Sequence, residues 1–265
     1  MIIERRITFV IGDDGFAVWK LTRLKTLAGY FRSVIILQNI TTTEASNSEH
    51  SLKVMSLGCK ENDLCQLWIE GSDAELACMV LTDFIADQFE IVNTSHKRSE
   101  NYSNSIIKNH PTFHLPFSLN YYFEAIEVDD DIGKSILMSK ISTIFNKVMA
   151  QSLLAAMLKR EKISSTGIGN GIAIPHIMIE GITKPAIVVL RLDKPVDWHC
   201  NRGKITLIIA MLIPAPASLK VVKAFTQISR ALLDPVNCNF LTSTIEPEAI
   251  KAIVLHIMAR NNRTL

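Results

Sequence analysis

The chain has 265 residues, with 28 Lys and Arg against 26 Asp and Glu, a net charge of +2, and 48% hydrophobic content. That length points to two compact units, and the balanced charge argues against a nucleic-acid binder that works by displacing counterions. Five cysteines with no C-x-x-C spacing argue against a disulfide framework or a thiolate zinc cage and fit a reducing, cytoplasmic setting.

The N-terminal stretch is too briefly apolar for a signal peptide. The longest apolar run, Ile205 to Ile213, is about half of the ~20 residues a membrane helix needs, so no membrane insertion is expected. Arg5 to Val10 alternates as a half-buried strand with Ile7 and Phe9 on one face. Leu21, Leu24, Leu27, Ala28 and Phe31 follow helical spacing. Val34–Leu37 and Leu64–Ile69 read as strands, with a short helix over Leu52–Leu57 stopped by Gly58. Asp73 is placed to cap a last helix whose Leu76, Val80, Leu81, Phe84 and Ile85 are expected to face inward. This order predicts an α+β open-faced sandwich over residues 1–91, with helices on one face of an antiparallel sheet.

Residues 92–117, rich in Asn and Ser and punctuated by Pro111 and Pro116, read as a polar linker; His96, His110 and His114 there read as solvated loop histidines. A second domain is expected over 118–265. Helical periodicity runs through Ile132, Ile136, Ile141, Ile144 and Val148, and a second helix through Leu153, Leu154, Met157 and Leu158 to Arg160. Strands follow at Ile187–Leu192 and Ile205–Ile213, then helices at Val221–Leu233 and Pro247–Met258, with His256 placed near a helix C-terminus. Near-continuous apolar strands between helices predict an α/β layered domain around a buried sheet.

One stretch carries chemistry: Arg160-Glu161, then Ser165-Thr166-Gly167-Ile168-Gly169-Asn170-Gly171-Ile172-Ala173-Ile174-Pro175-His176. Glycines at 167, 169 and 171 can leave backbone N–H groups free to converge on an anion, and Ser165 and Thr166 add hydroxyl donors. Arg160 supplies a fixed cation with bidentate geometry for phosphate, and the imidazole of His176 a nucleophilic nitrogen. Together these are the parts of a phosphoryl-relay site. From spacing alone, a histidine behind a proline also fits a structural role, and loop glycines also mark turns. The glycine pattern lacks the following Lys-Ser/Thr of a phosphate-binding nucleotide loop.

The same run closely resembles the phosphorylation segment of type-2 IIA domains (fructose, mannitol and nitrogen-regulatory type) of the bacterial phosphoenolpyruvate-dependent phosphotransferase system. The resemblance continues through LDKPVDW (Leu192 to Trp198), LIPA (Leu212 to Ala215) and ALLDP (Ala231 to Pro235). It implies a mixed sheet flanked by helices and His176 as phosphate acceptor. It also implies Arg160 beside the phosphoryl group, an HPr-type phosphocarrier as donor, and a IIB domain or a regulated target protein as acceptor. No metal or organic cofactor is implied. The second histidine usual in the family falls at Val221, and the glycine usual after Pro-His is Ile177.

The first domain is similar to the phosphocarrier HPr of that system in element order, in SLKVMSLG (Ser51 to Gly58) and in IEGSDAELA (Ile69 to Ala77). Where an active HPr has Gly-Leu-His-x-Arg-Pro, this chain has Gly15-Phe16-Ala17-Val18-Trp19-Lys20. Ala17 offers no nucleophile and Trp19 no charge, so the resemblance implies a phosphocarrier fold without its chemistry. Phe16 and Trp19 stand where an HPr meets its partners, and also fit packing into the local core.

Overall fold

The structure is a computed structural model and describes residues 3–96 and 100–260. It divides into two compact units, one through His114 together with Glu246–Arg260, the other Leu115–Ile245.

In the first unit the elements run β1 (Ile3–Val10), α1 (Val18–Ala28), β2 (Val34–Asn39), β3 (Glu44–Asn47), α2 (Ser51–Ser56), β4 (Leu64–Gly71), α3 (Ala74–Gln88), β5 (Glu90–Thr94) and α4 (Glu100–Asn109). The strands form one sheet in the order β3-β2-β4-β1-β5, antiparallel at every pairing. Alternate residues explain its inner face: Ile7, Phe9, Ile35, Leu37, Cys65, Leu67 and Ile69 pack with Leu21, Leu24 and Ala28 of α1 and Ala77, Leu81, Phe84 and Ile85 of α3. This is the expected α+β sandwich. Leu76 departs from expectation. It is 53% exposed because Ala74, Ala77 and Cys78 occupy the buried stripe in the first turns of α3, whereas Leu81, Phe84 and Ile85 face inward as expected and Val80 is part-buried. Asp73 precedes α3, but its carboxylate is taken by the Arg32 and Ser33 N–H groups (2.8 and 2.9 Å) and the Ser33 hydroxyl, not by the helix. The Ser33 hydroxyl, then the Arg32 N–H, holds that carboxyl below its ordinary value.

In the second unit follow β6 (Asn120–Ile126), α5 (Lys134–Phe145), α6 (Ala150–Ile163), β7 (Gly167–Gly169), β8 (Ile172–Ala173), β9 (His176–Ile179), β10 (Ala186–Val196), β11 (Ile205–Pro214), α7 (Leu219–Ala231) and α8 (Pro235–Ser243). The sheet runs β6-β10-β11-β8-β7, with β9 also on β11. It is mixed: β10 and β11 are antiparallel, as are β7 and β8, whereas β6 lies parallel to β10 and both β8 and β9 lie parallel to β11. Ala186, Val188, Leu190 and Leu192 of β10 join Leu137, Met138 and Ile141 of α5 and Leu153 and Met157 of α6 in one core. Ile187 and Val189 on the opposite face are buried as well, which is why both strands read as continuous apolar runs. Ile136 and Val148 are exposed, because α5 turns Leu137, Met138 and Ile141 inward and ends at Phe145.

The unit boundaries differ from those expected. The stretch expected as a linker over 92–117 contains the end of an added sheet strand, α4 and a 3-10 turn over Pro111–Phe113. Ile107 and Phe113 supply buried apolar anchors, and the Thr112 hydroxyl donates to the Asn62 carbonyl at 2.7 Å. His110 caps the 3-10 turn by accepting the Thr112 N–H at 3.1 Å. The last helix, α9 (Pro247–Ala259), expected in the second domain, groups with the first unit. Its ties run along its whole length: Ser95 Oγ to Glu246 (2.5 Å), Lys251 to Asn104 (3.0 Å), Thr41 with His256 (2.8 Å) and Arg260 to the Ile40 carbonyl (2.6 Å). His256 is therefore a fully buried, hydrogen-bonded residue rather than one explained by a helix dipole. Residues 97–99 of the expected linker and 261–265 of the expected second domain lie outside the described residues.

Candidate functional site

His176 opens β9, directly opposite Met211 of β11, and is half-buried. Pro175 before it has its carbonyl bonded to the Met211 N–H at 2.8 Å, so the main chain entering the histidine is fixed. The imidazole is held at both nitrogens. Nδ1 lies 2.9 Å from the Ile174 carbonyl, which can only accept, so Nδ1 carries the proton. Nε2 then presents a lone pair, and it faces the Arg160 guanidinium, with Nη2 at 3.1 Å and Nε at 3.3 Å. Arg160 reaches it from the last turn of α6 and also donates to the Ser164 carbonyl at 3.0 Å. The structure thus brings together two of the residues singled out from the sequence, a nucleophilic nitrogen and a fixed cation.

The other donors expected at the site are engaged elsewhere. Ser165 Oγ donates to Glu161 (2.9 Å), and Thr166 donates to Glu161 through both its N–H (3.0 and 3.1 Å) and its hydroxyl (2.6 Å). The glycines build a hairpin instead of an open cradle. Gly167 and Gly169 of β7 pair with Ala173 and Ile172 of β8 across an Asn170-Gly171 turn, whose φ values of 51° and 78° are those of a type I′ hairpin. Gly167 is required for a different reason: a Cβ there would lie 2.6 Å from Cys200 Sγ.

Glu161 is the residue that spacing did not single out. Its buried carboxylate also pairs with Lys134 at 2.6 Å, and Lys134 donates to the Trp198 carbonyl at 2.8 Å. Trp198 in turn donates from Nε1 to Thr166 Oγ1 at 3.1 Å. Burial by itself would raise the Glu161 carboxyl; the bonds from Lys134, Thr166 and Ser165 outweigh it and hold the group below its ordinary value. The ring Lys134–Glu161–Thr166–Trp198 anchors the segment that joins Arg160 to the hairpin. Its sequence signal was the acid next to Arg160 alone, since Lys134 and Trp198 are distant in the chain.

Val221 is buried in the first turn of α7, where its N–H is capped by Ser218 Oγ at 3.4 Å. Ile177 is buried in the α5–α6 core, and successive strand positions alternate in direction, so its bulk lies off the face that carries His176. In the first unit Ala17 is the N-cap position of α1 and offers no side-chain cap. Phe16 packs on Phe89 with ring centroids 4.9 Å apart, whereas Trp19 is 56% exposed and lines an open groove with Val18, Leu27, Val80 and Phe84. Lys20 is buried against Asp14 (2.7 Å) and over the Phe89 ring. The His96 ring lies 3.5 Å from Glu75, and His114 bonds the Lys108 carbonyl at 3.1 Å. Among the described residues no helix is long and apolar enough to cross a membrane.

Comparison with known proteins matches residues 134–257 to the family described as phosphoenolpyruvate-dependent sugar phosphotransferase system, EIIA 2. Residues 13–87 match the family described as PTS HPr component phosphorylation site. The chain is similar to a nitrogen regulatory protein of Pseudomonas aeruginosa, 37% identical over 110 residues that make up 41% of this chain and 71% of that protein. It is also similar to a multiphosphoryl transfer protein of Shigella flexneri, 38% identical over 96 residues, 36% of this chain. The chain spans 11% of the length of that relative. Among solved structures, the nitrogen regulatory protein IIA-Ntr from Neisseria meningitidis aligns at TM-score 0.45 and 21% identity, over 50% of this chain and 92% of that one. The EIIA 2 match extends into α9, the helix that groups structurally with the first unit.

Proposed function

The chain belongs to the EIIA type-2 family of the phosphoenolpyruvate-dependent phosphotransferase system and carries an HPr-type domain before it, and from this we propose that it is a phosphoryl carrier working through His176. The observation that carries the reading is the imidazole with its Nδ1 proton tied to the Ile174 carbonyl and its Nε2 lone pair facing Arg160. In the proposed step Nε2 attacks the phosphorus of a phosphohistidine on an HPr-type donor. The N–P bond to the donor breaks, its electrons return to the donor imidazole, and a new N–P bond forms on His176. Arg160, which now bonds Nε2, transfers its N–H donors to the phosphoryl oxygens and balances their charge. Onward transfer to a IIB domain is the same reaction in reverse sense, in a cytoplasmic setting. The HPr-type domain cannot be the donor itself, since Ala17 stands at its acceptor position.

A second reading, in which phosphorylation of His176 controls binding to a target protein, is favoured by one feature: Val221 stands where the family's second histidine would help onward transfer. The similarity to nitrogen regulatory proteins supports it too. Both readings require a modified His176. The test is incubation with phosphoenolpyruvate and the general carrier proteins, followed by intact-mass measurement of the native chain and His176→Ala. One phosphoryl group on the native chain and none on the variant supports the proposal; equal incorporation, or none on either, overturns it. Discharge on adding a IIB domain then separates the carrier from the regulator.

A further inference from the structure

The first unit holds a pair of thiols that the phosphoryl chemistry does not use. Cys65 lies on β4, fully buried, and Cys59 in the loop between α2 and β4, half-buried at the core edge. The Cys65 S–H donates to Cys59 Sγ at 3.9 Å, and the Asn39 side-chain amide donates to the same sulfur at 3.6 Å. No other S–H···S contact occurs among the described residues. Cys78 and Cys238 are buried, and Cys200 bonds the Gly203 carbonyl at 3.6 Å.

We propose that Cys59 and Cys65 are a redox-active dithiol that closes to an intramolecular disulfide on exposure to a peroxide. The sulfurs must approach from 3.9 Å to the ~2.05 Å of an S–S bond. The two cysteines are six residues apart, and Cys59 lies in the loop between α2 and β4, so the closing movement falls on that loop rather than on the sheet. The two thiols are also differentiated as attacking and resolving groups. The bond from Cys65 and the Asn39 amide hold the Cys59 thiol below its ordinary value, against the opposing effects of burial and Asp63. Burial pushes the Cys65 thiol up.

The chemistry balances. The Cys59 thiolate attacks one peroxide oxygen and becomes a sulfenic acid, and the other oxygen leaves as water after taking a proton. The Cys65 sulfur then attacks Cys59 sulfur and displaces hydroxide, which leaves as a second water with the Cys65 proton. Each sulfur loses one electron and hydrogen peroxide is reduced to two waters. The Cys59 carbonyl lies 3.5 Å from the position of a Cβ on Gly15, so the bond would form beside the loop that leads to Ala17 and Trp19.

The test treats the full chain with stoichiometric hydrogen peroxide, alkylates without reduction, and maps the peptides. The expected result is loss of two of the five alkylatable thiols, a linked Cys59–Cys65 peptide lighter by two hydrogens, and full recovery on adding dithiothreitol. In Cys65→Ser the sulfenic acid on Cys59 has no resolving thiol, so its capture by dimedone rises about tenfold. The proposal is overturned if Cys59 stays fully alkylatable, if it advances to sulfinic acid without a linked peptide, or if the linked species joins two copies through Cys200. The peptide map of the native chain decides the matter even where a variant folds poorly.

Discussion

Replacing Glu161 by Gln keeps the side-chain shape and removes the charge on which Lys134, Ser165 and Thr166 converge. Lys134 sits 2.6 Å from that carboxylate, with side-chain exposures of 15% and 6%, so the pair is largely withdrawn from water. Removing one partner of such a pair costs about 3–5 kcal/mol, and the Gln oxygen recovers part of it, leaving a loss of about 2–3 kcal/mol. At about 3 °C per kcal/mol for a unit of this size, the melting temperature falls by about 6–9 °C. Urea and thermal unfolding followed by tryptophan fluorescence measure this through Trp198. Lys134→Met alone and combined with Glu161→Gln completes a double-mutant cycle, with an expected coupling of about 1.5 kcal/mol or more. The carboxyl is held below its ordinary value of 4.5, so its stabilisation is complete above that pH and is lost as pH falls through the lower folded value. The difference between wild type and Glu161→Gln should therefore be full at neutral pH and shrink under acid. A coupling under about 0.5 kcal/mol, or a difference that grows in acid, would refute the reasoning.

Arg160→Ala should slow phosphorylation of His176 by about 10- to 100-fold, the loss of a charge-assisted pair worth about 1.5–3 kcal/mol, while leaving the melting temperature nearly unchanged. Initial rates of phosphoryl incorporation check it. Gly167→Ala must push its methyl into Cys200 Sγ, 2.6 Å away, and is expected to cost about 1–3 kcal/mol by urea denaturation. In the first unit, His256→Leu removes the bond to Thr41 in a fully buried site and should destabilise by about 1–2 kcal/mol, read by urea denaturation.

The elements legible in the sequence are those whose own residues repeat with one period. β1, α1, β4, β10 and β11 each bury a face set by their own alternation or stripe, and Arg160 and His176 stand in a run specific enough to mark them. The six-residue α2 is also legible, from its apolar spacing and Gly58, but short polar strands and strands placed by long-range pairing are not. β3 (Glu44–Asn47) has one buried residue, and β5 belongs to the sheet only through pairing with β1, a long-range contact that local periodicity does not register. The same reason hid the placement of α9. Apart from Glu248, Lys251 and His256 its residues are apolar on every side, which says that it is buried and not against which partner. At the site, residue types identified possible donors but not their acceptors. Ser165 and Thr166 have the hydroxyls a phosphate would use, and Glu161, one helical turn earlier, takes them first. Asn170-Gly171 reads as a type I′ turn once its strands are known, and as an anion loop while they are not.

The most direct measurement is the identity of the modified nitrogen. With the protein labelled with nitrogen-15 and phosphorylated through the general carriers, long-range proton–nitrogen correlation spectra distinguish the two ring nitrogens of His176. The account predicts the phosphoryl group on Nε2, with Nδ1 still protonated toward the Ile174 carbonyl, and weakened formation of this species in Arg160→Ala. Phosphate on Nδ1, or on any residue other than His176, would contradict it.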